Sequence, residues 1–205
     1  MRNKKKIRGW KRKVRQIEHW KMRHIDLDIE QLCRNGRDYV KLWIDPFYRL
    51  IRRDPPMWYS RLMLEAMTEV YQSWSRQMEK LNEPFYLKLW LYYPHFINSQ
   101  VVVAFRESLN YYDHIFYESN DKKEFPSQQF GAVPGLNKWK WDHVIETADY
   151  CLSELQEDIK LGIRTAKEVE SIKYRSYKTS TVKFSYGEDT VYHVKIGDVW
   201  LGESS

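Results

Sequence analysis

The apolar spacing between Trp58 and Tyr93 changes period once, at Pro84, and this change narrows the possible folds more than any other feature of the chain. Before it, Leu62, Met63, Ala66, Met67, Val70, Tyr71, Trp74, Met78 and Leu81 recur at intervals of three and four residues. Arg61, Glu65, Glu69, Gln72, Arg76 and Glu79 fall between them on the opposite side. That period predicts an amphipathic helix of about six turns. After Pro84, Phe85, Leu87, Leu89, Leu91 and Tyr93 alternate with Tyr86, Lys88, Trp90 and Tyr92, the two-residue period of a strand. Residues Ser99–Arg106 (SQVVVAFR) read as its neighbour across a turn at Pro94–Asn98. A long helix followed directly by a hairpin calls for an antiparallel sheet with that helix on one face.

The rest of the chain is read around this centre. Asp26 or Asp28 is expected to open a second helical stretch, and Asn35-Gly36 to break it before RDYVKLWI. Asp45-Pro46 has the form of a helix start, closed by Asp54-Pro55-Pro56. Tyr111–Tyr117 fits either a strand or a helix, its aromatics favouring strand. Residues 118–137, polar and punctuated by Pro126, Gly131, Pro134 and Gly135, are expected to be a long mobile loop.

Val144, Ile145, Ala148, Cys151, Leu152, Leu155 and Ile159 then fit the face of a second amphipathic helix, with Gly162 near its end. Thr165-Ala-Lys-Glu168 has the spacing of a capping box. The C-terminal part reads as a β-meander: SYKTSTVKFSY, TVYHVKI and VWLG, turning at Gly187-Glu188-Asp189 and Gly197-Asp198. The expected fold is therefore α+β, with N-terminal helices, a central antiparallel sheet packed by two amphipathic helices, and a C-terminal β-meander. The expected division is a basic helical arm over residues 1–25 and one α+β domain over 26–205.

Charge is distributed unevenly. The first twenty-four residues hold eleven of the thirty-four Lys and Arg against one acid, Glu18, so the remaining 181 residues are net acidic. Within the arm, Ile7, Trp10, Val14 and Ile17 mark one apolar stripe of a helix. A concentrated positive field of this kind attracts polyanions. The expected phosphate-binding residues are Lys4, Lys5, Lys6, Arg8, Lys11, Arg12, Lys13, Arg15, Lys21 and Arg23. Two other readings of the arm stand beside this one: a lipid- or protein-docking helix that buries the stripe, and a helix that is simply packed and solvated.

Nine Trp, fifteen Tyr and eight Phe make the chain rich in aromatics. Trp10, Trp20, Tyr86, Trp90 and Tyr92 are candidates for stacking on bases, and burial is the competing account of each. Familiar catalytic and nucleotide-binding motifs are absent. Cys33 and Cys151 are far apart and form no metal-binding pair, and no cofactor is implied. Asp26-Leu-Asp28 is short enough to be helix-capping acids rather than a cation site. His95, Arg106, Glu107 and His114 at the sheet ends would be the constellation of an enzyme, if there is one.

No apolar region follows the basic start to make a signal peptide, and no stretch is apolar enough to span a membrane, so the expected location is cytoplasmic. The sequence thus points to a non-enzymatic binding protein whose partner is nucleic acid, RNA or DNA. A protein-interaction module using the aromatic-rich surface is the alternative, and an unfamiliar enzyme the third reading.

Overall fold

In the computed structural model, the described residues are 8–48, 55–93, 96–113, 135–179, 185–186 and 189–204. The helix predicted before Pro84 is α4, Met57–Glu79. Its expected apolar face is buried at Met63, Ala66, Met67, Val70, Tyr71, Trp74 and Met78. The strand after Pro84 is β2, Phe85–Tyr93, and its neighbour is β3, Gln100–Phe105, paired antiparallel with Leu87 opposite Val103 and Leu89 opposite Val101. A short strand β1, Tyr39–Trp43, pairs with the other edge of β3, setting Leu42 opposite Val101. Leu42, Leu87, Leu89, Leu91, Val101, Val103 and Phe105 form one core with the buried side of α4.

The opposite sheet face is covered as well. Val102 and Ala104 are fully buried there with Tyr86, against Trp90 and Leu109. Leu109 belongs to α5, Glu107–Asp113, so Tyr111–Asp113 is helical where the aromatics favoured strand. Three residues from Asp113, Phe116 and the rest of 114–134 lie outside the described residues, as does most of the expected loop. The end of that loop is core: Leu136 is fully buried at the start of a single 3-10 turn, and Trp139 stacks on Trp141 at 5.7 Å and meets Tyr71 at 4.6 Å. These rings leave no room for a side chain at Gly202, where a Cβ would fall 2.4 Å from the Trp141 ring.

The N-terminal elements lean on this core. α1, Trp10–His24, buries Ile17 and Trp20 and leaves Trp10 exposed, so the inner stripe runs toward the end of the helix rather than its start. The Trp20 indole donates to the Trp43 carbonyl at 3.2 Å, and the Trp74 indole donates to the His24 carbonyl at 2.8 Å. Gln77 of α4 accepts from Leu27 N–H and donates to the Ile25 carbonyl, fastening the exit from α1. α2, Ile29–Arg34, starts where the acids predicted: Asp28 accepts from Gln31 N–H at 2.8 Å. α3, Asp45–Tyr48, begins at the Asp-Pro pair.

The second predicted amphipathic helix is largely a strand. β4 runs Lys140–Cys151, and only Leu152–Lys160 is helical, as α6. Val144, Ile145 and Thr147 are β-branched and sit among aromatics, a composition that suits a pleated surface as well as a helical stripe. α7, Ala166–Thr179, takes in the residues SYKT that were expected to be extended. β5, Ser185–Tyr186, pairs with β6, Asp189–Glu203, with Tyr186 opposite Asp189 as the expected turn requires. β6 then continues through Gly197-Asp198 without a hairpin, because Gly197 keeps a negative or extended φ that tight hairpin turns do not use. The antiparallel sheet has the order β1-β3-β2-β6-β4, with β5 beside β6, so the class is α+β.

The chain divides into two compact units, Met1–Val144 with Val199–Ser205, and Ile145–Asp198. α1 belongs to the first, so its basic residues are carried by a helix that is part of a core. The second unit buries Leu155, Val169, Ile172 and Val194, with Tyr150 and Tyr192 partly covered. Its helices end and begin by local hydrogen bonding. Gly162, at φ 71°, closes α6 with Gly162 N–H on the Ile159 carbonyl and Ile163 N–H on the Asp158 carbonyl. The predicted capping box opens α7: Glu168 accepts from Thr165 N–H at 2.7 Å, and Thr165 Oγ1 accepts from Glu168 N–H at 3.3 Å.

Candidate nucleic-acid interface

Packing sorts the basic residues of α1 into two groups. Toward α4, Lys21 Nζ meets Glu69 at 2.8 Å and Glu18 at 3.0 Å. The Glu69 carboxylate, hydrogen-bonded to this ammonium, holds it above the ordinary lysine range. Lys21 is thereby neutralised within the molecule and drops out of the expected set. Arg8, Lys11, Arg12, Arg15 and Arg23 are exposed, and Lys13 is half-buried. Lys4, Lys5 and Lys6 lie outside the described residues.

Arg12, Arg15, Gln16, His19 and Arg23 line an open groove of about 550 Å³, closed on its far side by Asp45 and Pro46 at the start of α3. Their spacings of three, four and seven place them on one helix face, since residues so spaced stack above one another. The same spacing carries Gln16 and His19, a signal that counting charges passes over. Asp45 and Pro46 join the groove only through the tertiary fold. Asp45 is the one acid among the described residues lining it. His24, one residue past Arg23, is turned inward; burial first, then the Arg23 charge, pushes its imidazole below the ordinary value. It adds no positive charge to the groove near neutral pH.

The expected stacking residues are not gathered at this groove. Trp20 is 0% exposed and holds Trp43 through its indole, so it offers no face to a base. Tyr86 is buried on the sheet, while Trp90 and Tyr92 are half-buried against Val144, Val199 and Leu201. Lys88, between them in sequence, pairs with Glu203. Trp10 alone stays open, 52% exposed, with Lys11 Nζ 6.0 Å from its ring centroid. Of the apolar stripe of a docking helix, Ile17 is buried in the chain's own core and Val14 is half-buried, while Trp10 is exposed and Ile7 lies outside the described residues.

The enzymatic readings find little to build on. His95 and His114 lie outside the described residues. Arg106 is exposed and paired with Glu83 at 3.2 Å. Asp28 serves as a helix cap, and the described residues contain no cluster of three metal-ligating side chains. One pair invisible to sequence spacing is present: His193 Nδ1 lies 2.6 Å from Asp149 Oδ1, forty-four positions apart, on adjacent strands. An aspartate in that position orients an imidazole, but a base needs a nucleophile or substrate beside it. Cys151 is poorly suited to be one, since partial burial and then the charges of Glu154, Asp189 and Asp149 push its thiol up.

No family model, no curated protein and no solved structure matches this chain. Among the described residues, no helix is long and apolar enough to cross a membrane.

Proposed function

We propose that this protein binds nucleic acid through the outer face of α1, with arginine side chains meeting backbone phosphates. The observation that carries the reading is the groove itself: Arg12, Arg15 and Arg23 on one face, with His19 between them and Asp45 the one acid among its described lining residues. Arginine suits this task because its planar fork donates to two phosphate oxygens at once and stays charged at any physiological pH. The first unit supplies rigidity, since the opposite side of the same helix is packed on α4 and tied by Trp20, Trp74 and Gln77.

The exposed cations Arg8, Lys11, Arg12, Arg15 and Arg23 would engage about five phosphates, so log affinity should fall with log salt at a slope of about −4.5 on a duplex. Dissociation constants of about 10⁻⁴ to 10⁻⁶ M are expected at physiological salt for contacts that carry no sequence information. Replacing Arg12, Arg15 and Arg23 together by Ala should flatten the slope by about 3 while leaving the melting temperature unchanged. Fluorescence anisotropy with labelled oligonucleotides across a salt series measures both. An unchanged slope in the triple variant, or no binding by the native protein at low salt, would overturn the proposal.

A further inference from the structure

The geometry points to a duplex, and not a single strand, as the nucleic acid this groove takes; the inference rests on the phosphate-binding reading above. Proteins that hold single strands combine a basic track with aromatic side chains on which successive bases lie, because an unpaired strand has to be ordered and stacking offsets that cost. Here the track and the aromatics are separated. At 3.6 residues per turn, Trp10 stands roughly 160° around the helix from the line through Arg12, His19 and Arg23. The other candidates are turned inward: Trp20 is fully buried, Tyr86 is buried on the sheet, and Trp90 and Tyr92 are packed over Val199 and Leu201. Among the described residues, the groove's second wall is a carboxylate and a proline, neither of which offers a stacking plane for a base.

What the groove does offer matches a stiff, dense row of charge. Arg12 and Arg23 are eleven positions apart on one unbroken helix, about 16 Å along its axis. Over that length a duplex presents about twice the phosphates of one strand, since its charges recur every ~1.7 Å against ~3.4 Å. A straight row of cations on a braced helix gains most from a ligand that is already straight. A single strand brings half the charge and must give up its freedom to follow the row, with no Trp, Tyr or Phe among the described residues lining the groove to compensate.

The test is a comparison of labelled duplex DNA, duplex RNA and the corresponding single strands of equal length, bound by the full chain across a salt series. At least one duplex should bind about tenfold more tightly than its single strand at low salt, with a steeper salt slope, about −0.9 against about −0.7 per phosphate. The two duplex arms tell DNA from RNA. Trp10→Ala should leave every affinity within about twofold, as expected when no base stacks there. Single strands binding as tightly as duplexes or more tightly, or a loss of fivefold or more on Trp10→Ala, would overturn this inference and leave phosphate binding standing. Failure of every nucleic acid to bind at low salt would overturn both.

Discussion

The two compact units solve the problem of stability differently. In the first, large side chains from elements far apart in sequence meet in one core: Trp20 of α1, Phe47 of α3, Trp74 of α4, Phe105 of β3 and Leu136 are all buried together. In the second, four buried aliphatic residues make the whole described cluster, and its helices are punctuated by a glycine turn and a capping box. Long-range burial can hold a segment whose local preference is weak, whereas a small core needs each local element to agree with the fold. The same contrast explains why the basic groove is on α1. A row of like charges opposes helix formation, and only a helix braced by a large core can carry it.

The largest effect expected from this contrast is at Trp74. Trp74→Ala removes a fully buried indole and its hydrogen bond to His24, and should cost about 3–5 kcal/mol in urea unfolding. Because that bond also fastens the exit of α1, the proposed nucleic-acid binding should weaken in the variant under conditions where it remains folded. A cost below about 1 kcal/mol would mean the first unit is not organised around this core.

Leu155→Ala should cost about 2–3 kcal/mol, since its cluster is small and surface can relax into the gap. Native-state hydrogen exchange sharpens the point: amides of α6 and α7 should lose protection while those of α4 keep theirs. Equal loss in α4 would show that the two cores open as one, and the contrast would collapse.

Smallest is the local device. Thr165→Ala should cost about 1 kcal/mol, the ordinary value of an N-cap. The partner carboxylate provides a pH signature. Glu168 accepts from the Thr165 N–H and hydroxyl, which holds it below its ordinary 4.5, so on acidification the unfolded chain takes up the proton first. Its contribution is therefore complete above the ordinary glutamate range and disappears as pH falls through the lowered value. Melting curves of the native protein and Glu168→Gln should differ near neutrality and converge in acid. A gap that persists in acid would assign the difference to something other than this carboxylate.

What the sequence made legible was local. α4, the β2–β3 pair, the Asp28 cap, the Gly162 turn and the Thr165 box each declare themselves within a few residues, through period or through a side chain bonding its own helix end. β4 did not, because Val144, Ile145, Ala148 and Cys151 satisfy a helical period while their β-branched and aromatic neighbours satisfy an extended one, and the sheet decided between them. β6 passes through Gly197-Asp198 for a related reason: Lys195 bonds Asp198 at 2.8 Å along the strand, and the glycine is not bent. At the candidate site, the excess of positive charge was plain. Which cations remain available was not, since the neutralising partner of Lys21 is Glu69 of another helix and the wall of the groove is Asp45. Trp20 reads in the sequence like any aromatic of a basic arm, and only the tertiary packing around it makes it a core residue.

The start of α1 has one more consequence. Gly9 stands in the N-cap position at φ 70° with no side-chain cap, the first turn holds no acid, and Lys11, Arg12 and Lys13 crowd the positive end of the helix dipole. Each of these lowers the helix's own stability at that end. A polyanion seated along the outer face would remove the mutual repulsion of those cations, so it would order the turn by the same contacts through which it binds. Under the proposed binding, occupancy and local helicity would be two readings of a single equilibrium, and the protein's resistance to heat would be a function of how much ligand surrounds it.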